Sequence, residues 1–173
     1  MPMFIRLKDD RFSLAEDPFT AVGDEQSIPP GDVIISLARF QAEGDYLLSQ
    51  GRSLGVRLES NEEVEALAYD LPRLHVVALA FPKFGDGRAY TSAKLLRERY
   101  DFKGEVRAVG DVLREQAGFM VRVGFDAFEP ADGSTVEDLE RAVHRFRHVY
   151  QRSADRRAPA FAERFGAVAE REK

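Results

Sequence analysis

Apolar and polar positions alternate along the chain with two different periods, and the switches between them mark its elements. The opening "MFIRLKDDRFSLAED" alternates apolar and polar residues on both sides of Lys8-Asp9-Asp10, which predicts a hairpin within residues 1–17. Pro18 to Pro30 is polar, with Gly23, Asp24, Pro29 and Pro30, and reads as a loop. "DVIIS" (Asp32 to Ser36) then predicts a strand, and Leu37, Phe40, Tyr46, Leu47 and Leu48 recur at helical spacing. "LGVRLES" (Leu54 to Ser60) predicts the next strand. Asn61, with Glu62 and Glu63 behind it, predicts a capped helix that Pro72 stops.

"LHVVALAF" (Leu74 to Phe81) is the most hydrophobic run, and its lack of alternation predicts burial on both faces. Tyr90 to Tyr100 reads as helix and Glu105 to Gly110 as strand. Asp111 caps a helix from Val112 to Val123 in this reading. "FDAFEP" (Phe125 to Pro130) is the last strand, and Ser134 or Thr135 caps a helix from Val136 to His148. Strand and helix thus alternate about five times with short links, the pattern of βα units and a mainly parallel sheet covered by helices. An open doubly wound sheet and an arc of a (β/α) barrel both fit; five units cannot close an eight-stranded barrel. Residues 1–150 are expected to form a single α/β domain. Residues 151–173 form a tail, partly helical or disordered, in which Phe161, Phe165 and Val168 keep a helical spacing.

Composition narrows the function. The 173 residues are enough for one sizeable core, and 44% hydrophobic with 32% charged residues is the balance of a folded soluble protein. No run of about 18 apolar residues suggests a membrane span, and no leader pattern opens the chain, so a cytoplasmic location is expected. The absence of cysteine removes disulfides, thiolate nucleophiles and iron–sulfur ligation by this chain. A net charge of −5 argues against nucleic-acid binding. The charge is uneven, however. Lys83 to Arg122 holds nine Lys or Arg against six Asp or Glu, a local excess of three that suits an anionic ligand or an acidic partner.

The candidate chemistry lies at the strand ends. In parallel α/β sheets ligands bind beyond the carboxyl ends of the strands, and there the sequence offers Glu59, then "FPKFGDGRAYT", then Gly110-Asp111, then Glu129. Lys83, Asp86, Arg88, Tyr90, Asp111 and Arg114 are the expected ligand- or partner-binding set. Lys83 and Arg88 would supply positive charge, Gly85 and Gly87 close backbone approach, Asp86 orientation of a cation and Tyr90 a hydroxyl. The same residues also fit a turn and a helix start with solvated charges, and "GDGRAY" is neither a dinucleotide fingerprint nor a P-loop. No metal site is expected. His144 and His148 are four apart, but "HRFRH" is rich in arginine and a solvated face suits it better. Lys83 and Arg88 likewise count against a magnesium site built from Glu59, Asp111 and Glu129.

The block from "DLPRL" through "FPKFGDGRAY" and "RAVGDVLREQ" to "VGFDAFE" resembles an uncharacterised bacterial family, a domain of unknown function. Its members are often labelled oxidoreductases and are typically encoded beside sulfite reductase and phosphoadenylylsulfate reductase. The resemblance implies an accessory role in sulfate assimilation, with sulfite reductase as a partner. A small enzyme or sensor that binds a sulfur oxyanion or a nucleotide at the rim is the alternative, and self-association is a further option. Members commonly carry Cys where this chain has Val123, in "RVGFD". A position that accepts Val is expected to be a packing position, so the oxidoreductase label cannot rest on a thiol here. No flavin or nicotinamide motif supports that label either, and the cofactor stays unassigned.

Overall fold

A computed structural model describes residues 4–155 and 157–164. Its elements in chain order are β1 (Ile5–Lys8), β2 (Arg11–Leu14), β3 (Phe19–Ala21), β4 (Asp32–Ser36), α1 (Leu37–Ser49), β5 (Leu54–Leu58), β6 (Val76–Phe81), α2 (Arg88–Glu98), β7 (Glu105–Gly110), α3 (Ala117–Val123), β8 (Ala127–Phe128) and α4 (Val136–Val143). All eight strands form one sheet in the order β2-β1-β8-β7-β6-β5-β4-β3. β3 to β8 run parallel, while β1 pairs antiparallel with both β2 and β8. No helix among the described residues is long and apolar enough to cross a membrane.

From β3 to β8 the spatial order follows the chain, so every crossover advances in the same direction. Right-handed crossovers then place all helices on one face of the sheet. The result is a curled half-barrel. The doubly wound alternative would need the strand order to reverse, and it does not. The main core lies between the sheet and the helices, where Val77, Leu79 and Phe81 of β6 meet Ala89, Ala93 and Leu96 of α2, with Phe125 and Phe128 beside them. The opposite, concave face holds a smaller cluster of Ile34, Val76, Ala78, Ala80 and Val109. β6 is therefore buried on both faces, which is why it is apolar at all six positions.

The curl follows from connectivity. β2 and β3 lie at opposite edges of the sheet, yet only Ala15 to Pro18 separate them. The edges of a flat eight-stranded sheet stand roughly 33 Å apart at about 4.8 Å per strand. Five residue steps reach about 18 Å at most. The sheet must bend until its edges approach each other, and the link crosses the concave face.

Arg107 of β7 fastens that link. Its side chain is 1% exposed and points to the concave face, in register with Ala78 and Ala127. The guanidinium meets both oxygens of Asp17 at 2.5 and 3.1 Å, Glu129 at 3.0 Å and Glu105 at 2.7 Å. The Phe4 ring lies 4.2 Å from its central carbon, and Arg6 holds the second oxygen of Glu105 at 2.7 Å. Burial pulls the Arg107 pKa down, but hydrogen bonds and charge from Asp17 and Glu105 more than offset it, so the group stays charged.

Four local expectations change. Pro18–Pro30 is not all loop, because β3 pairs with β4. The helix expected after Asn61 is replaced by two 3₁₀ turns, Val64–Leu67 and Leu71–Arg73. Pro72 lacks the N–H that an α-helix would need there, and Glu62 turns back to accept from the Glu59 N–H at 2.7 Å. α3 starts later than Val112 and is preceded by the 3₁₀ turn Arg114–Gln116. α4 ends at Val143, not His148. Beyond it Val149 bridges Pro159, and the backbone is helical again over 160–164. Phe165 and Val168 of the expected tail helix lie outside the described residues.

Arg107→Met would leave three carboxylates on the concave face without their shared cation. Urea unfolding should show a loss of about 3–5 kcal/mol, as for other broken buried ion pairs. Asp17→Asn keeps one acceptor oxygen and should lose less, about 1–3 kcal/mol. A loss below about 1 kcal/mol in the first variant would mean that apolar contacts alone hold the curl.

Candidate functional site

The strands β4 to β8 end at one rim, and two loops there are joined. Gly110 ends β7 at φ +91°. A Cβ on it would stand 2.5 Å from the Phe81 carbonyl oxygen, so only glycine fits. The turn lets the Asp111 N–H donate to that carbonyl at 2.7 Å, while the Asp111 carboxylate accepts from the Phe84 N–H at 2.8 Å. Asp111 is thus the brace of the β6–α2 loop and not the cap of α3. The Gln116 side chain closes the 3₁₀ turn that leads into α3, its Oε1 accepting from the Leu113 N–H at 2.9 Å, and α3 itself has no side-chain cap.

Within the β6–α2 loop, Asp86 and Arg88 satisfy each other. The Arg88 guanidinium donates to the two Asp86 oxygens at 3.0 and 2.6 Å and to Ser60 Oγ at 2.9 Å. The Arg88 N–H also donates to Asp86, so the carboxylate closes the first turn of α2. Hydrogen bonds from Arg88 hold the Asp86 carboxyl well below the usual range. Arg57 and Glu59, at the end of β5, pair in the same way at 2.9 Å. Lys83 is exposed on this loop and forms no ion pair among the described residues.

The other two residues of the expected set face elsewhere. Tyr90 is half-buried, edge-on to Phe81 at 5.1 Å and to Phe119 of α3 at 4.9 Å. Burial pushes its hydroxyl pKa up, and a hydrogen bond with Gln116 offsets part of that. Arg114 turns toward α4, 3.9 Å from Asp138. The rim therefore assembles Lys83, Asp86, Arg88 and Asp111 on two braced loops, with Tyr90 in the packing behind them and Arg114 outside. No group of three His, Asp or Glu side chains stands close enough to hold an ion among the described residues.

Arg114 instead lines a cleft of about 1220 Å³ bounded by the β1–β2 hairpin, α3, α4 and residues 144–151, with Asp155 and Arg157. Its wall is held by Arg122, which meets Asp155 at 3.1 Å and the Gln151 carbonyl at 2.5 Å. Arg157 donates to the Arg147 carbonyl at 2.7 Å and so fixes the turn after α4. His144 Nδ1 donates to the Glu140 carbonyl at 2.8 Å, and His148 pairs with Glu163 at 2.6 Å, so neither faces a shared centre. Sequence reading passed over this cleft because "HRFRH" looks like a solvated helix face. The available signal was the density of arginine and aromatic residues from Arg141 to Tyr150. Arg107 was passed over too, although a lone cation inside the apolar "EVRAVG" signals a buried partner.

Val123 is 4% exposed in the main core. Val123→Cys removes little volume, so its unfolding free energy, read by thermal denaturation, should stay within about 1 kcal/mol of the parent's. No thiol-dependent redox activity should appear. Gly110→Ala meets backbone and should lose about 1–3 kcal/mol with loosening of the β6–α2 loop, read by amide exchange of Phe84.

A search of curated proteins returns no match to this chain. The model of a family described as "Bacterial protein of unknown function (DUF934)" matches residues 55–161, from β5 through the cleft wall. That match spans more than half of the 173 residues, and the chain belongs to this bacterial family.

Proposed function

We propose that the protein is an accessory factor of assimilatory sulfate and sulfite reduction that acts in the cytoplasm by docking onto another protein, with sulfite reductase as the expected partner. The pathway comes from the family resemblance. The mode of action is supported by one contrast in the geometry. At the rim, Arg88 is taken up by Asp86 and Ser60, and Arg57 by Glu59, so few polar groups are left free to act on a substrate. The α3–α4 cleft instead displays arginine and aromatic side chains, the types enriched at protein interfaces. Such a surface binds and orients a partner.

A second reading keeps the rim as a site for a sulfur oxyanion or nucleotide. What favours it is Lys83, exposed and unpaired among the described residues, two positions from Gly85, around which there is open space.

The readings separate in two measurements. A tagged chain incubated with purified sulfite reductase should retain it at low salt and release it at high salt if docking is the function. Growth on sulfate as sole sulfur source should survive Lys83→Ala and Arg88→Ala under the docking reading. Failure of both variants, together with stabilisation of the parent by sulfite or sulfate in thermal shift, would replace docking by the rim reading. Either exposed substitution should change folding stability by no more than about 0.5 kcal/mol.

A further inference from the structure

The occupant of the α3–α4 cleft can be given a chemistry. We propose that the cleft binds an acidic peptide segment of a partner protein, anchored by one aromatic or large aliphatic side chain. The proposal builds on the docking reading above.

Size is the first argument. Clefts that hold small ligands span roughly 300–1,000 Å³. This one, at about 1220 Å³ and lined from the β1–β2 hairpin across α3 to Tyr150, matches a stretch of polypeptide.

Charge is the second. The cations lining it are all arginine, whose planar fork pairs bidentately with carboxylates. Six arginines face four carboxylates there, and those carboxylates are partly engaged. Asp155 is held by Arg122, and Asp138 is shared between Arg141 and the Thr135 cap. Arg145 and Arg147 are exposed and have no carboxylate partner among the described residues. The protein's net charge of −5 makes this local excess of cations a selective feature, and it disfavours a nucleic acid as the occupant.

Anchoring is the third. Phe119 is 51% exposed and Phe146 68%, on two walls of the same cleft. Arg145 lies 5.5 Å above the Phe146 ring, so the cation and the apolar face are presented together. The turn that carries them is set in advance by the bonds of Arg157 to the carbonyls of Phe146 and Arg147, which lowers the ordering cost of binding.

The test is selection of a random peptide library on the full chain, followed by fluorescence anisotropy of the enriched peptides. Enriched sequences should be acidic, with one recurrent aromatic or leucine. Their affinity should fall about tenfold or more in the Arg145→Glu/Arg147→Glu variant and in Phe146→Ala, fall with salt, and stay unchanged in Arg88→Ala. Unchanged circular dichroism would show that the variants fold. No enrichment, enrichment without acidic residues, or equal binding by the cleft variants would overturn the proposal. A dimer in sedimentation that the double substitution dissociates would assign the cleft to a second copy and overturn it as well. Sulfite reductase supplies the distinction from the broader reading. Retention of the reductase equally by parent and cleft variants would sink the cleft and leave the accessory role standing. Acidic peptides bound at the cleft without any reductase retention would do the reverse.

Discussion

The contact between Arg107 and Asp17 carries more of this structure than its two residues suggest. Asp17 belongs to the four-residue link that joins the two edges of the sheet, and Arg107 stands on β7 near the sheet's middle. Holding them together draws the link across the concave face and fixes how far the sheet curls. Burying the guanidinium costs desolvation of a full charge. It is tolerated because three carboxylates and the face of Phe4 surround it, so that almost every donor has a partner. Charge here sets geometry more than it adds stability, since an apolar filling of similar size would have no direction in which to hold the link.

That closure shapes where the protein can act. A half-barrel with an open concave face would offer a groove along its strands. This one fills the groove with the link, with Phe4 and Phe19, and with the small apolar cluster on β4, β6 and β7. Surface chemistry is left to the rim and to the outer helices. At the rim the loops brace one another through Asp111 and Phe84, and most of the charges close on neighbours within a few residues. Such pairs are exposed and add little to stability; their effect is to hold the loops in shape.

The outer side behaves differently. α4 is short and strongly amphipathic: Leu139 is buried in the main core, while Arg141 points to solvent. Where it ends, the chain turns back across α3 and is fastened by Arg122 and Arg157 through backbone carbonyls and Asp155. Fixing two arginines in this way leaves others free on the same wall. The cleft is thus a by-product of how the final segment is tied down, and its arginine and aromatic content is what distinguishes it from an ordinary gap between helices.

The amino-acid sequence alone determined the elements whose stability is local. β6 is legible because every position follows from burial, and α1 and α2 because their apolar spacing is set within a few turns. The parallel order follows from the same rhythm, as does the position of the rim with Lys83, Asp86, Arg88 and Asp111 on it. What the sequence could not give depends on contacts between distant residues. β3 is three residues long and exists because β4 lends it hydrogen bonds, so nothing in "FTA" announces it. The choice between a doubly wound sheet and a half-barrel was decided by the edge-to-edge reach of four linking residues and by an ion pair spanning ninety positions in the chain. The direction of Arg114 was decided by Asp138 on a helix that follows it. Local pattern fixes where backbone hydrogen bonds can be satisfied within a segment. Only the folded chain decides which charge meets which, because that energy is absent until the two are brought side by side.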